Sequence, residues 1–221
     1  MGYNKEQIAG KLLRWEKFLN GFDLPSWDQL PQIDLYMDQV IALLNNYLGF
    51  FIYEGNDEKL LTPAMVNNYV KMKLLAPPIK KKYGRKQVAS LIMICTLKQT
   101  LSMAQVKQML PRENGEGFQR DYDQFVQVHK RLSLYFTQQV KASAAPVFDT
   151  TVDNGSEVND LVVGAAVAAS FAKLMAGKIV ALKLPEPELE KSKEATEHDK
   201  PTKEKSAKEK KTEVEQTNKN A

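Results

Sequence analysis

The residues best suited to chemistry in this chain are cations. Residues 59–112 contain eleven Lys or Arg and no Asp or Glu, although charged residues make up 26% of the chain. Ammonium and guanidinium groups form strong hydrogen bonds with phosphates, and a one-sign block on a folded segment attracts an anionic partner. We call residues 59–112 the basic segment; its cations are Lys59, Lys71, Lys73, Lys80, Lys81, Lys82, Arg85, Lys86, Lys98, Lys107 and Arg112.

The charge outside the basic segment has the opposite sign. Residues 1–58 hold four basic and nine acidic residues, a net of −5, and residues 113–221 hold sixteen and eighteen, a net of −2. With +11 from the basic segment, these give the +4 of the whole chain. Two interpretations follow: the cations meet an external anion, or the acidic N-terminal residues pack beside them and neutralise them.

The sequence offers no catalytic or metal-binding pattern. Its two histidines, His129 and His198, and its single cysteine, Cys95, form no Ser-His-Asp or Cys-His arrangement. One cysteine excludes an internal disulfide and a Cys-based zinc site, and no phosphate-binding glycine motif occurs. Cys95 is expected to pack on an apolar helix face. We therefore expect no enzyme activity, no metal and no cofactor.

A helix from Thr62 to Leu75 is predicted at the start of the basic segment. Thr62 is a good N-cap, and Pro63 at the first helical position loses no hydrogen bond. Pro77 and Pro78 end the helix. Helical spacing separates two faces: Val66, Tyr69, Val70 and Leu74 on the inner side, and Asn67, Asn68 and Lys71 on the outer.

Two helices joined by a turn, with a basic loop beside them, are the parts of a helix-turn-helix unit. Asparagine can bond adenine in the major groove, and lysine can reach guanine or phosphate. The loop from Ile79 to Arg85 suits phosphate contacts. Tyr83 has two predicted roles, as a core anchor of the loop or as a contact along the DNA backbone. The candidate DNA-binding residues are Thr62, Asn67, Asn68, Lys71, Lys73, Lys80, Lys81, Lys82, Tyr83, Arg85 and Lys86.

Further helices are predicted on both sides of these elements. They cover residues 4–20 capped by Asn4, 35–51 capped by Asp34, 86–100, 102–111 with a Ser102–Gln105 capping box, 120–141 and 156–182. The last of these is alanine-rich and is interrupted by Lys173 and Lys178, so we predict a packed helix and no transmembrane segment. Residues 184–221 are rich in Lys and Glu and are expected to be disordered.

Two motifs carry a family resemblance. The segments "NNYVKMKLL", "KKYGRKQV", "LIMICTLKQ" and "LSMAQVKQML" resemble, in that order, the DNA-binding half of MerR-type regulators. With "LPQIDLYMDQVIALL" before them, residues 24–112 resemble still more closely a bacterial family called domain of unknown function 1836. The C-terminal region lacks the single long dimerisation helix and the Cys- or His-based effector site of metal-sensing MerR proteins. The resemblance therefore implies a DNA-binding region but neither a mode of dimerisation nor a ligand.

Together these observations predict an all-α protein with a MerR-like winged helix-turn-helix core. The expected divisions are an N-terminal helix at 1–23, the DNA-binding domain at 24–112, a C-terminal helical region at 113–183 and the tail at 184–221. The predicted function is sequence-specific transcription regulation on double-stranded DNA, with a homodimer interface expected in the helices at 120–141 and 156–182.

Two alternatives remain open at this stage. One is a protein-interaction module that docks an acidic partner, and the other is a protein that meets an anionic membrane surface. The lone cysteine and the absence of a signal-peptide pattern lead us to expect a cytoplasmic protein. No small-molecule ligand can be inferred.

Overall fold

The part of the chain that the structure describes folds into helices, with one small two-stranded sheet. The computed structural model describes residues 4–19, 23–52, 59–112, 115–148 and 156–182. Within these ranges the α-helices and strands are α1 (Lys5–Leu19), β1 (Leu35–Tyr36), α2 (Met37–Leu48), α3 (Pro63–Lys71), β2 (Lys82–Tyr83), α4 (Arg85–Leu97), α5 (Met103–Met109), α6 (Phe118–Phe148) and α7 (Ser156–Ala181). The mostly helical architecture agrees with the predicted all-α class.

Short-range caps set several helix starts. The Asn4 Oδ1 atom accepts a hydrogen bond of 2.9 Å from the Gln7 N–H at the start of α1. Thr62 Oγ1 accepts one of 3.2 Å from the Met65 N–H, with Pro63 at the first position of α3. Ser102 and Gln105 exchange bonds as a capping box before α5. These starts are confirmed because a cap depends only on residues three positions apart.

The helix α4 forms the centre of the core. Every residue from Gln87 to Cys95 is buried, so this helix is covered on all sides. Burial raises the pKa of the Cys95 thiol to about 11, which favours the neutral form expected of a packing residue. The side chains that cover α4 come from several elements and include Val40, Leu44, Leu48, Val66, Tyr69, Phe118, Tyr122 and Val126.

The two strands pair across a long stretch of sequence. Leu35 lies opposite Tyr83 and Tyr36 opposite Lys82 in an antiparallel ladder. The helix predicted from residue 35 therefore begins at Met37 instead, because the two preceding residues are extended to reach β2. This pairing joins the start of α2 to the loop that follows α3.

Other helix boundaries also differ from those predicted. The α3 helix ends at Lys71, four residues before Leu75. The α6 helix continues through Pro146 to Phe148, beyond the predicted end at Lys141. Pro146 lies close to the end of α6, so its missing N–H removes only one hydrogen bond from the last turns of the helix.

The predicted tail lies outside the described residues, all of which fall in one compact unit extending to Leu184.

The helix α6 attaches to the core at its first turns. Trp27 contacts the rings of Phe118 and Tyr122 edge-on, with centroid distances of 6.0 and 6.2 Å. The Tyr122 hydroxyl donates to the Pro25 carbonyl at 2.8 Å, and the Trp27 N–H donates to Asp123 Oδ1 at 2.8 Å. The main neighbour of α1 is α6, which follows the predicted 24–112 domain in the chain.

Most residues of the helix α7 are exposed to solvent. Only Val158 and Val180, near its two ends, are buried. By length and composition α7 could cross a bilayer: an 18-residue window has a mean hydropathy of 1.5, and none of that window is buried. The sequence predicted that this helix packs against the protein, and the structure shows buried residues only near its two ends.

Candidate nucleic-acid interface

The outer face of α3 carries the two amides selected from the sequence. Asn67, Asn68 and Lys71 are exposed, while Val66 and Tyr69 on the opposite side are 0% and 4% exposed. The Asn68 Nδ2 atom lies 3.6 Å from Met72 Sδ, a weak contact. The amides are therefore accessible to a ligand that approaches α3 from solvent. Thr62 is half-buried and its hydroxyl oxygen is used as the cap.

The helix α3 ends in a left-handed turn at Lys73. The Leu74 N–H donates to the Tyr69 carbonyl at 2.9 Å, and the Lys73 N–H donates to the Val70 carbonyl at 3.0 Å. Lys73 has φ 56°. This is the Schellman arrangement, whose left-handed position usually holds glycine. An L-residue with a Cβ atom costs roughly 1–2 kcal/mol there, and Lys73 is exposed.

A second left-handed turn follows at residues 79–82, which we call the wing turn. Ile79 and Lys82 exchange two backbone hydrogen bonds of 3.0 and 2.9 Å. The two central residues, Lys80 and Lys81, have φ values of 50° and 65°, and both side chains are exposed. Positive φ at both central positions is the pattern that favours Asn-Gly in two-residue hairpin turns. This chain places two lysines there instead.

Gln87 fixes the corner between α3 and α4. Its Nε2 atom donates to the carbonyls of Ala76 and Pro77 at 3.1 and 2.9 Å, and its Oε1 atom accepts from the Gly84 N–H at 2.6 Å. The side chain is 8% exposed. One amide thus joins the segment before the wing turn to the segment after it. Gln87 was not among the candidates chosen from the sequence, because a single glutamine near a helix start carries no distinctive signal.

The remaining candidates in the loop divide into exposed and anchored residues. Lys86 is exposed in the first turn of α4. Lys82 is half-buried, with its Nζ atom 4.9 Å from the centre of the Tyr36 ring. The Arg85 guanidinium lies 5.3 Å from the Trp27 ring, and its Nε donates to the Pro31 carbonyl at 3.4 Å. Tyr83 is 2% exposed, so of its two predicted roles the structure shows the core anchor.

Four exposed lysines of the basic segment are not neutralised within the described part of the chain. Two ion pairs occur there, Lys130–Asp23 and Arg120–Asp121, and neither involves the basic segment. Lys71, Lys73, Lys80 and Lys81 have no carboxylate partner among the described residues. Asp23, one of the acidic N-terminal residues, instead meets α6. The described acidic residues therefore do not support neutralisation of these four lysines.

Two cations beyond the candidate set lie close to the end of α3. An open groove of about 540 Å³ is lined by Lys73, Lys107 and Arg112 together with apolar residues such as Val70 and Leu110. Lys107 and Arg112 belong to α5 and the segment after it. They were counted in the basic segment, but their proximity to Lys73 depends on how α5 packs and could not be deduced from spacing.

Groups of titratable residues elsewhere do not form a metal site in the described ranges. His129 on α6 is half-buried, its Nδ1 atom is buried without a hydrogen-bond partner in the described structure, and its ring lies 5.9 Å from that of Phe50. Burial lowers the pKa of His129, and the carboxylate of Asp23 opposes that shift. The histidine is therefore held mainly in its neutral form.

The fold and site together define a mostly helical domain with an exposed basic surface. Residues 25–132 match the family model described as "Domain of unknown function (DUF1836)". This match supports the family resemblance drawn from the sequence, and it extends beyond residue 112 into the first half of α6. No curated protein and no solved structure matches the chain.

Proposed function

We propose that this protein is a sequence-specific DNA-binding transcription regulator. In this proposal α3 lies in the major groove and the wing turn lies on the phosphate backbone, as in a winged helix-turn-helix protein of the MerR type. The observation that carries the proposal is the presence of exposed lysines at three left-handed backbone positions, Lys73, Lys80 and Lys81.

Lysine at these three positions has an energetic cost. Glycine or asparagine would form the same turns with less strain. Backbone strain of this kind clusters at functional sites, where the surrounding structure holds it. Lysine at all three positions supplies charge that the less strained residues lack. Phosphate binding is a use that requires that charge, and it agrees with the absence of Asp and Glu from residues 59–112.

The proposal gives the candidate residues separate tasks. Asn67 and Asn68 inspect base edges, because a side-chain amide can bond adenine N6 and N7 together. Lys71, Lys73, Lys80, Lys81 and Lys86 contact phosphates. Lys82 and Arg85 add positive potential from positions held by aromatic rings. Thr62 starts α3, and Tyr83 fixes the wing turn to the core.

Selection of bound duplexes from a random pool tests this function. The wild type should enrich a defined sequence and lose affinity steeply as salt is added. Asn67→Ala and Asn68→Ala should relax the enriched sequence, because each removes about 1–3 kcal/mol of discrimination at the base its amide bonds. Lys81→Ala should weaken all duplexes about equally and reduce the salt slope by about one.

Arg131→Ala is a matched control, because it removes one exposed positive charge from α6, outside the basic segment. It should leave duplex binding almost unchanged. Salt-sensitive binding with no enriched sequence would contradict sequence-specific regulation and leave docking to an acidic protein open. Enrichment that survives both asparagine substitutions would contradict the role given to α3.

A further inference from the structure

The helix α7 carries most of its larger apolar side chains on the side opposite its buried residues. The buried residues Val158 and Val180 define its inner side. At 100° per residue the positions nearest that side are Val162, Ala165, Ala169, Ala172, Lys173 and Ala176, whose apolar members are only valine and alanine, and all of them except Ala176 are exposed. A helix that packs only against its own chain would be expected to show the reverse arrangement.

The opposite side forms a continuous stripe, which we call the α7 stripe. Its residues are spaced by three or four positions, so they share one face: Asp160, Val163, Val167, Phe171, Leu174 and Lys178. Phe171 is 67% exposed, Leu174 is 56% exposed and Val163 is 51% exposed. The stripe is thus apolar along its length, with one acidic and one basic residue at its two ends.

We infer that the α7 stripe is the interface of a homodimer, in which α7 packs antiparallel against α7 of a second copy. A two-fold axis midway between Val167 and Phe171 places each of these residues opposite the other in the partner copy. The same axis places Val163 opposite the partner's Met175 and Asp160 opposite the partner's Lys178. The charges at the ends are therefore complementary only in the antiparallel arrangement.

The exposed area is sufficient for such an interface. Side chains of this size, about half exposed or more, leave roughly 100 Å² each, so the stripe with Met175 offers on the order of 500 Å² per copy. Leu182, which lies next to the stripe and is 80% exposed, brings the area closer to the roughly 800 Å² that each partner buries in a standard interface. Monomers seldom expose a contiguous apolar patch of this size.

The anchoring of α7 favours a second copy over a membrane as the occupant. Val158 near its start and Val180 near its end are both buried, and its contacts are with α5 and α6. A helix held at both ends cannot span a bilayer unless both contacts break. The dimer does not depend on DNA binding, so either proposal can fail without the other.

Mass measurement of the full chain by light scattering over a concentration series tests the dimer. The wild type should have the mass of two chains. Val167→Asp and Phe171→Asp should each raise the dissociation constant more than roughly 30-fold, because each residue occurs twice in the interface. Ala166→Asp is the matched control: it adds the same charge to α7 at an exposed position off the stripe and should leave the dimer intact.

Charge exchange tests the antiparallel orientation. Asp160 and Lys178 lie about 27 Å apart along one helix, so they cannot pair within a chain. Asp160→Lys and Lys178→Asp should each weaken self-association, since each opposes like charges. An equimolar mixture of the two variants should restore a dimer, because both end pairs are then of opposite sign.

Three results would overturn the inference. The first is a single-chain mass at all concentrations. The second is a mixture of the charge variants that associates no better than either variant alone. The third is a single-chain mass combined with binding to phosphatidylglycerol vesicles that Phe171→Asp abolishes, which would assign the stripe to a lipid surface. Circular dichroism of each variant should show unchanged helix content.

Discussion

Lysine is an unusual residue for three of the backbone positions it occupies here. Lys73, Lys80 and Lys81 all have positive φ, a conformation in which their Cβ atoms are crowded. The sequence pattern marked all three as cations of interest. It could not show their backbone conformation, because lysine has no preference for positive φ that a pattern could reveal.

The wing turn gives a prediction at the residue scale. Lys80→Asn combined with Lys81→Gly should raise the free energy of unfolding by about 1–2 kcal/mol, because these residues suit positive φ at both central positions. The same double substitution should weaken duplex binding by removing two charges. Urea unfolding and a binding titration on the same preparation measure the two effects.

Lys81→Ala serves as the control for this pair of effects, since it removes charge but keeps a Cβ atom at the strained position. It should weaken duplex binding without the gain in stability. If the Asn-Gly variant is no more stable than the wild type, lysine carries no backbone strain at this turn and the energetic support for the proposed function is lost.

At the scale of elements, Gln87 determines how the wing turn is held. Gln87→Leu would leave the Gly84 N–H and the carbonyls of Ala76 and Pro77 without their present partner. We expect a loss of about 2–3 kcal/mol in the free energy of unfolding, together with weaker duplex binding because the corner loosens. Thermal or urea unfolding checks the first effect.

Gln99→Leu provides the comparison, because Gln99 is exposed and, among the described residues, its amide bonds only the Cys95 carbonyl of the preceding turn. Its effect should stay within about 0.5 kcal/mol. Equal losses for the two glutamine variants would show that the corner bonds of Gln87 add nothing specific to stability.

Elements set by local signals could be predicted from sequence, and elements set by distant contacts could not. The caps at Asn4, Thr62 and Ser102 act over three residues, and the predicted helix starts there are confirmed. The strand Leu35–Tyr36 was mistaken for helix because its partner is Lys82–Tyr83, more than forty positions away. The Gln87 corner was missed for the same reason: its bonds join segments whose proximity exists only after folding.

The candidate site was predictable in composition but not in arrangement. The asparagines and lysines on the outer face of α3 follow from helical periodicity, and the structure places them in solvent. The anchoring of Lys82 and Arg85 on Tyr36 and Trp27 depends on tertiary packing. The burial of Tyr83 also depends on tertiary packing. The sequence allowed two positions for this side chain, in the core or along the DNA backbone, and could not decide between them.

At the scale of the whole molecule, His129 couples stability to pH. Burial lowers its pKa in the folded state below the ordinary value of 6.5. Below that value the unfolded chain binds a proton more readily than the folded chain, so stability should fall as pH decreases from about 7.5 to 5.5. At pH values above this window the contribution is complete and constant.

Urea unfolding at a series of pH values in that window measures this dependence. His129→Gln should flatten it, because the substituted side chain does not titrate. His198 remains in both proteins and so does not distinguish them. A wild type whose stability rises on acidification, or whose slope equals that of the variant, would contradict the prediction.

Cys95 lies at 0% exposure at the end of the buried stretch Gln87–Cys95 of α4. A thiol reagent added to the native protein can therefore react only with molecules whose interior has opened, and the raised pKa slows any reaction further. Because the sequence has no second cysteine, the rate of modification reports one event. The natural chain thus contains a built-in probe of how often its interior is exposed, and no label needs to be engineered to follow it.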